Sequence, residues 1–314
     1  MDMAMDLQYL YWLQGLREAS ANFFTPFMMW VSWLAVDAII FVPAFVYWGI
    51  KKRSGQFLIL SFGISQFMNG LIKLTVCAYR PWIRDARIVP AQGAIATAGG
   101  YSFPSGHTMD SSPIYGGLAV LTRKTDVLVA WICGVMILLT ALSRNYIGVH
   151  TPQDVVVGTL LGLFAVFLAS KVLNASESHP NSVLVCGLIL CVLALLYITN
   201  KSYPMDYDAS GKLIVDPADM VRHTFAGVGT VSGILIGMLL DRKYIHHEET
   251  GITATGMIHS FIGLLICYYG NPVVKDFAKK MTGQNWGRFI NQFVLMMFIF
   301  VVWPLVLKVC ARKK

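Results

Sequence analysis

Long apolar runs separated by short polar or basic turns dominate this chain. A membrane-crossing helix needs about 20 mostly apolar residues. Nine runs approach that length, near 26–50, 56–79, 107–122, 127–143, 153–173, 182–200, 224–241, 254–270 and 289–308. The third, fourth and eighth are short or interrupted. A segment in lipid has no water to satisfy its backbone, so it is a helix or a strand of a closed barrel, and these runs are too long for barrel strands. The pattern predicts an all-α, polytopic integral membrane bundle of about nine spans, with 1–314 as a single membrane domain. Ahead of the runs, residues 6–22 set Leu7, Leu10, Trp12 and Leu13 among polar residues, the pattern of a short interfacial helix or of a solvated N-terminal helix.

Composition agrees. Hydrophobic residues make up 56% of the chain and charged residues 13%, against about 25% charged in soluble domains. The net charge of +8 does not point to nucleic acid, because the basic residues flank apolar runs as cytoplasmic anchors do. Lys51, Lys52, Arg53, Arg123, Lys124, Lys171, Arg242, Lys243, Lys308, Arg312, Lys313 and Lys314 fall on one side of a nine-span arrangement. The loops 80–106, 144–152, 201–223 and 271–288 fall on the other. The positive-inside rule makes the first side cytoplasmic, so the second faces the periplasm, the exterior or an organelle lumen. A bacterial inner membrane is the expected location, or the endoplasmic reticulum with the site in its lumen.

Several features carry no chemistry. The cysteines are scattered through apolar runs without a close pair, which excludes a disulfide framework or zinc site. Asp206, Asp208 and Ser210 open like a calcium loop, but its twelfth position is Pro217, so a polar hairpin is expected. His246, His247, Glu248 and Glu249 read as a solvated turn. Gly227, Gly229, Gly233 and Gly237 are spaced to let helices pack closely or to leave room for a lipid tail.

Three segments place polar residues where apolar ones belong. The first runs from Lys73 to Arg80 and Pro81. An intramembrane lysine marks function by default, and Arg80, two helical turns on, shares its face before Pro81 ends the helix. Alternatively, Lys73 snorkels and Arg80 anchors at the interface. The second is Pro104-Ser105-Gly106-His107, opening an apolar helix. Unpaired N–H groups at a helix start suit an oxyanion. Gly106 admits close backbone approach, Ser105 adds a hydroxyl and His107 a proton donor; a plain helix cap explains Ser105 but not His107. The third runs from Ser143 and Arg144 to His150, Thr151, Pro152 and Asp154. Thr151 and Pro152 look like a cap and first helical position, and Asp154 near His150 can fix its tautomer and stabilise an imidazolium. Three cations, two histidines, a carboxylate and a helix start on one predicted membrane face form an inventory for phosphoryl transfer.

In order and spacing (K-x6-R-P, P-S-G-H, S-R-x5-H-x3-D), these segments resemble the signature of the type-2 phosphatidic acid phosphatase superfamily. The resemblance runs from Lys73 to Asp154 and implies a catalytic core in 56–175, with further transmembrane helices in 176–314. It implies that His150 attacks phosphorus to form a phosphohistidine, that Asp154 orients it, and that His107 protonates the leaving oxygen and then activates water. Lys73, Arg80 and Arg144 would hold the phosphate oxygens, helped by Ser105 and the Gly106 N–H, with no metal or cofactor. About nine spans look like the glucose-6-phosphatase and sphingosine-1-phosphate phosphatase branches. The expected substrate is a lipid phosphate monoester or diphosphate; the alternatives are a soluble sugar phosphate and phosphotransfer to a lipid acceptor. Surrounding membrane lipids are the other expected partner.

Overall fold

The computed structural model describes residues 4–311; Arg312, Lys313 and Lys314, and the side chains at 37, 38, 40 and 311, lie outside the described residues. The fold is all-α, and no strand forms among the described residues beyond an isolated bridge between Tyr207 and Leu213. The helices that matter for the site are α1 (Met5–Ala19), α2 (Thr25–Trp33), α3 (Lys52–Val76), α4 (Gly106–Thr122), α5 (Val127–Tyr146) and α6 (Pro152–Ser178). After them come α7 (Pro180–Asn200), α8 (Pro217–Leu240) and α9 (Ala254–Met297).

Six helical stretches among the described residues are long and apolar enough to cross a membrane: Lys52–Arg84, Val127–Tyr146, Pro152–Ser178, Pro180–Asn200, Pro217–Ile245 and Ala254–Cys310. The expectation of about nine is not reached, for three local reasons. The run 26–50 leaves α geometry after α2, passing through π and 3-10 turns at Leu34–Ala38, Ile39–Phe41 and Val46–Ile50. The run 107–122 folds as α4, a 17-residue helix with Pro113 inside it. The last two runs belong to one helical stretch, interrupted where Gly283 adopts φ 80°.

The chain divides into two compact units. One comprises Met1–Ile40, Met68–Phe164 and Ser202–Met220, and contains every residue of the three signature segments. Here α1 is amphipathic: Leu7, Leu10 and Leu13 are buried with Ile88, while Tyr11, Trp12 and Leu16 are exposed. Buried Arg17 ties α1 down, donating to the Tyr146 carbonyl at 3.1 Å and the Val89 carbonyl at 2.5 Å. Ala91, Ala94, Ala98, Tyr146, Ile147 and Val149 form a compact core cluster. The 201–223 stretch contains the expected polar hairpin, in which one Asp208 oxygen accepts from Ser210 and Lys212 of its own turn.

The other unit comprises Phe41–Phe67, Ala165–Lys201 and Val221–Lys314. Its glycine stripe brings α8 against α9: a Cβ on Gly229 would lie 2.3 Å from the Phe289 carbonyl, and one on Gly233 2.7 Å from the Met296 Cβ. Close backbone approach of this kind is how small residues join helices in lipid.

Helix α6 approaches the start of α4 equally closely. A Cβ on Gly158 would sit 2.2 Å from Thr108 Oγ1 and 3.0 Å from the Ser105 carbonyl. Forcing extra atoms into a packed contact costs about 1–3 kcal/mol. Gly158→Val is therefore expected to lower the thermal unfolding midpoint in detergent and to reduce activity in parallel. An unchanged midpoint would show that the two helices separate without penalty.

Candidate active site

The signature residues come from three segments of the sequence, and local structure explains each. Helix α3 carries Lys73 and ends at Val76, where Cys77 takes a positive φ of 53°. This corrects the expectation of a helix continuing to Pro81. Lys73 and Arg80 are not stacked on one helical face, and Pro81 begins a short helix (Pro81–Arg84) instead of stopping one. The two cations converge because the chain turns between them.

Lys73 does not snorkel. Its buried ammonium donates to the carbonyls of Tyr101 (2.8 Å), Ser102 (3.3 Å) and Pro104 (2.7 Å), gathering the loop before α4. Arg80 likewise holds backbone: Nη2 donates to Gly99 O at 2.7 Å, Nε to Gly100 O at 3.1 Å and Nη1 to Val149 O at 3.1 Å. Arg144, wholly buried in the last turn of α5, donates from Nη1 to Ser32 Oγ (2.6 Å) and Thr97 Oγ1 (3.1 Å) and from Nη2 to Thr97 O (3.3 Å). Its Nε–H has no hydrogen-bond partner among the described residues. Every hydrogen bond described for these three cations thus ends on a neutral acceptor.

Ser105 lies at the start of α4, but its hydroxyl makes no capping bond, and its fully buried Oγ has no partner among the described residues. The simple cap explanation therefore fails for its side chain. Its N–H donates to the Asp154 carbonyl at 2.9 Å, which fastens this helix start to α6. Gly106 is the first residue of α4 and His107 the second, partly buried. His107 is within electrostatic range of Arg144, His150, Arg80 and Lys73.

The third segment turns sharply after α5. Gly148 has φ 77°, a conformation costly for other residues. The Asn145 amide pins the His150 carbonyl at 2.9 Å. Thr151 and Asp154 then cap α6 reciprocally: the Thr151 N–H donates to Asp154 Oδ2 at 2.9 Å, and the Asp154 N–H reaches Thr151 Oγ1 at 3.4 Å. Capping aims the carboxylate at the histidine, with His150 Nδ1 3.2 Å from Asp154 Oδ2.

The other ring nitrogen, Nε2, lies 2.8 Å from Arg80 Nη1. Arginine has no acceptor, so the guanidinium donates and Nε2 carries the lone pair. The proton is then on Nδ1, which faces Asp154 Oδ2 and the Ser102 backbone. Burial, followed by the charges of Arg80, Arg144 and Lys73, holds the His150 ring well below the usual histidine pKa. With the proton on Nδ1, the basic nitrogen of the ring is turned toward Arg80.

The structure thus brings Lys73, Arg80, Ser105, Gly106, His107, Arg144, His150 and Asp154 together within one unit. Sequence reasoning missed Ser32, Thr97, Ser102 and Asn145. All four are short polar residues in unremarkable settings, and no local signal marks them.

Comparison with known proteins gives the same picture. The PAP2 superfamily pattern, that of the type-2 phosphatidic acid phosphatases, matches residues 55–178. Phosphatidylglycerophosphatase B of Bacillus subtilis (strain 168) is 31% identical over 137 residues, which covers 41% of this chain and 63% of that protein. Undecaprenyl-diphosphatase of Sulfolobus acidocaldarius is 29% identical over 141 residues, covering 45% of this chain and 63% of that protein. The chain therefore spans less than two thirds of either relative's length. No solved structure matches it. Both relatives are named phosphatases, and the signature segments all lie inside residues 55–178, the stretch that matches the PAP2 superfamily.

Proposed function

We propose that this integral membrane protein hydrolyses phosphate monoesters or diphosphates of membrane lipids through a phosphohistidine on His150. The observation that carries this reading is the tautomer. A neutral imidazole presents the Nε2 lone pair beside Arg80, with Nδ1 3.2 Å from Asp154 Oδ2. In the first step a phosphate oxygen takes the Arg80 N–H in place of the ring. Nε2 bonds to phosphorus, the bond to the leaving oxygen breaks, and His107 gives that oxygen its proton. In the second step His107 takes a proton from water, the water oxygen bonds to phosphorus, and the N–P bond breaks to return His150. Lys73, Arg80 and Arg144 neutralise the phosphoryl oxygens, and the Ser105 hydroxyl and Gly106 N–H donate to them.

The site is proposed to face away from the cytoplasm. This does not depend on the number of spans, because the helices themselves are polarised. Helix α3 begins at Lys52 and Arg53 and carries Lys73 near its other end. Helix α4 begins beside Ser105 and is followed by Arg123 and Lys124; α6 has Asp154 in its first turn and Lys171 in its later half. On these three helices the basic residues other than Lys73 lie at or past the end away from the signature residues, as positive-inside anchors do. A lipid substrate is favoured over a soluble one because both relatives are named for lipid phosphates.

The test is phosphate release by detergent-purified protein from phosphatidylglycerophosphate, undecaprenyl diphosphate, phosphatidic acid and a hexose phosphate, with and without EDTA. Higher kcat/KM on a lipid, unaffected by chelator, is the expected result. Preference for the hexose phosphate would remove the lipid assignment, and transfer of label to a lipid acceptor would make the protein a phosphotransferase. EDTA inhibition reversed by a divalent ion would remove the metal-free mechanism, and no release from any substrate would remove the whole reading.

A further inference from the structure

Ser102 lies outside the three signature segments, yet it touches the group they depend on. It is buried, with 1% of its surface exposed. Its hydroxyl donates to Asp154 Oδ2 at 2.6 Å and lies 3.5 Å from His150 Nδ1. That same carboxylate oxygen also accepts the Thr151 N–H at 2.9 Å and faces Nδ1 at 3.2 Å. The serine contact is the shortest of the three, and hydrogen bonds to a charged acceptor are the strong ones. We propose that Ser102 is a positioning residue for the nucleophile: it fixes the Asp154 carboxylate against the His150 ring and limits how strongly that carboxylate favours the imidazolium.

This role for Ser102 rests on the phosphohistidine reading above and extends it. An oxygen serving three donors gives each a smaller share. With the serine hydroxyl removed, the lone pairs turn to Nδ1–H and stabilise the protonated ring. Protonated His150 has no lone pair and cannot attack phosphorus. The hydroxyl also restrains rotation of the carboxylate, so its loss widens the range of ring orientations. Nothing else described supplies this restraint, since Thr151 fixes the oxygen from the backbone side only. Other charged or titratable groups around the ring are Arg80 and Lys73 from the α3 segment, Arg144 from α5 and His107 from α4. None of them donates to the carboxylate in any described hydrogen bond.

The sign follows directly. Burial and the neighbouring cations keep the ring unprotonated below the ordinary histidine pKa of 6.5. The acid limb of kcat/KM that reports His150 therefore lies below that value in the unmodified protein. In Ser102→Ala it moves upward by about 1 pH unit, the size of effect expected from one hydrogen bond. At acidic pH kcat falls roughly tenfold or more, while KM changes little, because Ser102 is not among the phosphate-binding groups. The backbone carbonyl that receives Lys73 survives the substitution.

The experiment is the pH profile of kcat and KM for the unmodified protein, Ser102→Ala and Ser102→Thr, on whichever phosphate ester the unmodified protein hydrolyses best. Threonine keeps the hydroxyl, so its acid limb is expected to stay with that of the unmodified protein even if less folded protein is recovered. The proposal is overturned if Ser102→Ala keeps both the limb and kcat, or if the limb moves in Ser102→Thr as it does in alanine. If alanine does not fold, the threonine limb decides alone. Failure of the phosphatase reading itself is distinguishable, since the unmodified protein would then release no phosphate.

Discussion

His150→Ala abolishes phosphate release, by about 10⁴-fold or more, while leaving the protein folded and able to bind phosphate analogues. The expectation follows from the position of Nε2, a buried ring nitrogen whose lone pair meets the Arg80 guanidinium at 2.8 Å. Removing a covalent nucleophile has effects of this size where measured, because the remaining electrostatic groups retain only part of the rate enhancement. The check has two readouts. Turnover is measured on the best substrate, and label from ³²P-substrate is sought on protein quenched in alkaline detergent. The unmodified protein gives an acid-labile, base-stable label, and His150→Ala gives none. Retention of a tenth of the activity by the variant would place the nucleophile elsewhere.

Arg80→Lys is the second large effect. The exchange keeps the charge but not the geometry. Arg80 uses three nitrogens at once, reaching Gly99 O, Gly100 O, Val149 O and His150 Nε2. A single ammonium cannot span those acceptors, so the loop at 99–100 loses its tether and the lone pair its aligned donor. Loss of one preorganised oxyanion donor is worth roughly 10² to 10³ in kcat, and a comparable drop is expected here. Lys73, which spends one ammonium on three carbonyls, cannot compensate. The measurement is kcat for Arg80→Lys beside Arg80→Ala. If lysine restores most of the rate lost in alanine, charge alone matters and the forked geometry is irrelevant.

Much of the fold was legible because membrane segments declare themselves locally. Apolar runs such as 182–200 and 224–241 became helices α7 and α8, the first within two residues of the expected bounds and the second beginning seven residues earlier, at Pro217. The helix starts at Gly106 and Pro152 were also visible, since capping chemistry acts over three or four residues. The span count was not legible. Hydropathy cannot show that the run 26–50 leaves α geometry, or that two apolar runs share one helical stretch with a kink at Gly283. Nor could it show the break at Cys77, which brought Lys73 and Arg80 together by a turn and not by helical periodicity.

The order and identity of residues determined that this chain belongs in a membrane and which polar groups it carries there, because both depend on side-chain type and short-range spacing. Tertiary structure decided which histidine nitrogen holds the lone pair, which donors serve the carboxylate and what holds Arg144. Those facts are hydrogen bonds between residues far apart in the chain: Arg80 with His150 over 70 positions, Ser102 with Asp154 over 52, and Ser32 with Arg144 over 112. A proton's place on a ring is set by its neighbours in space, and only folding chooses them.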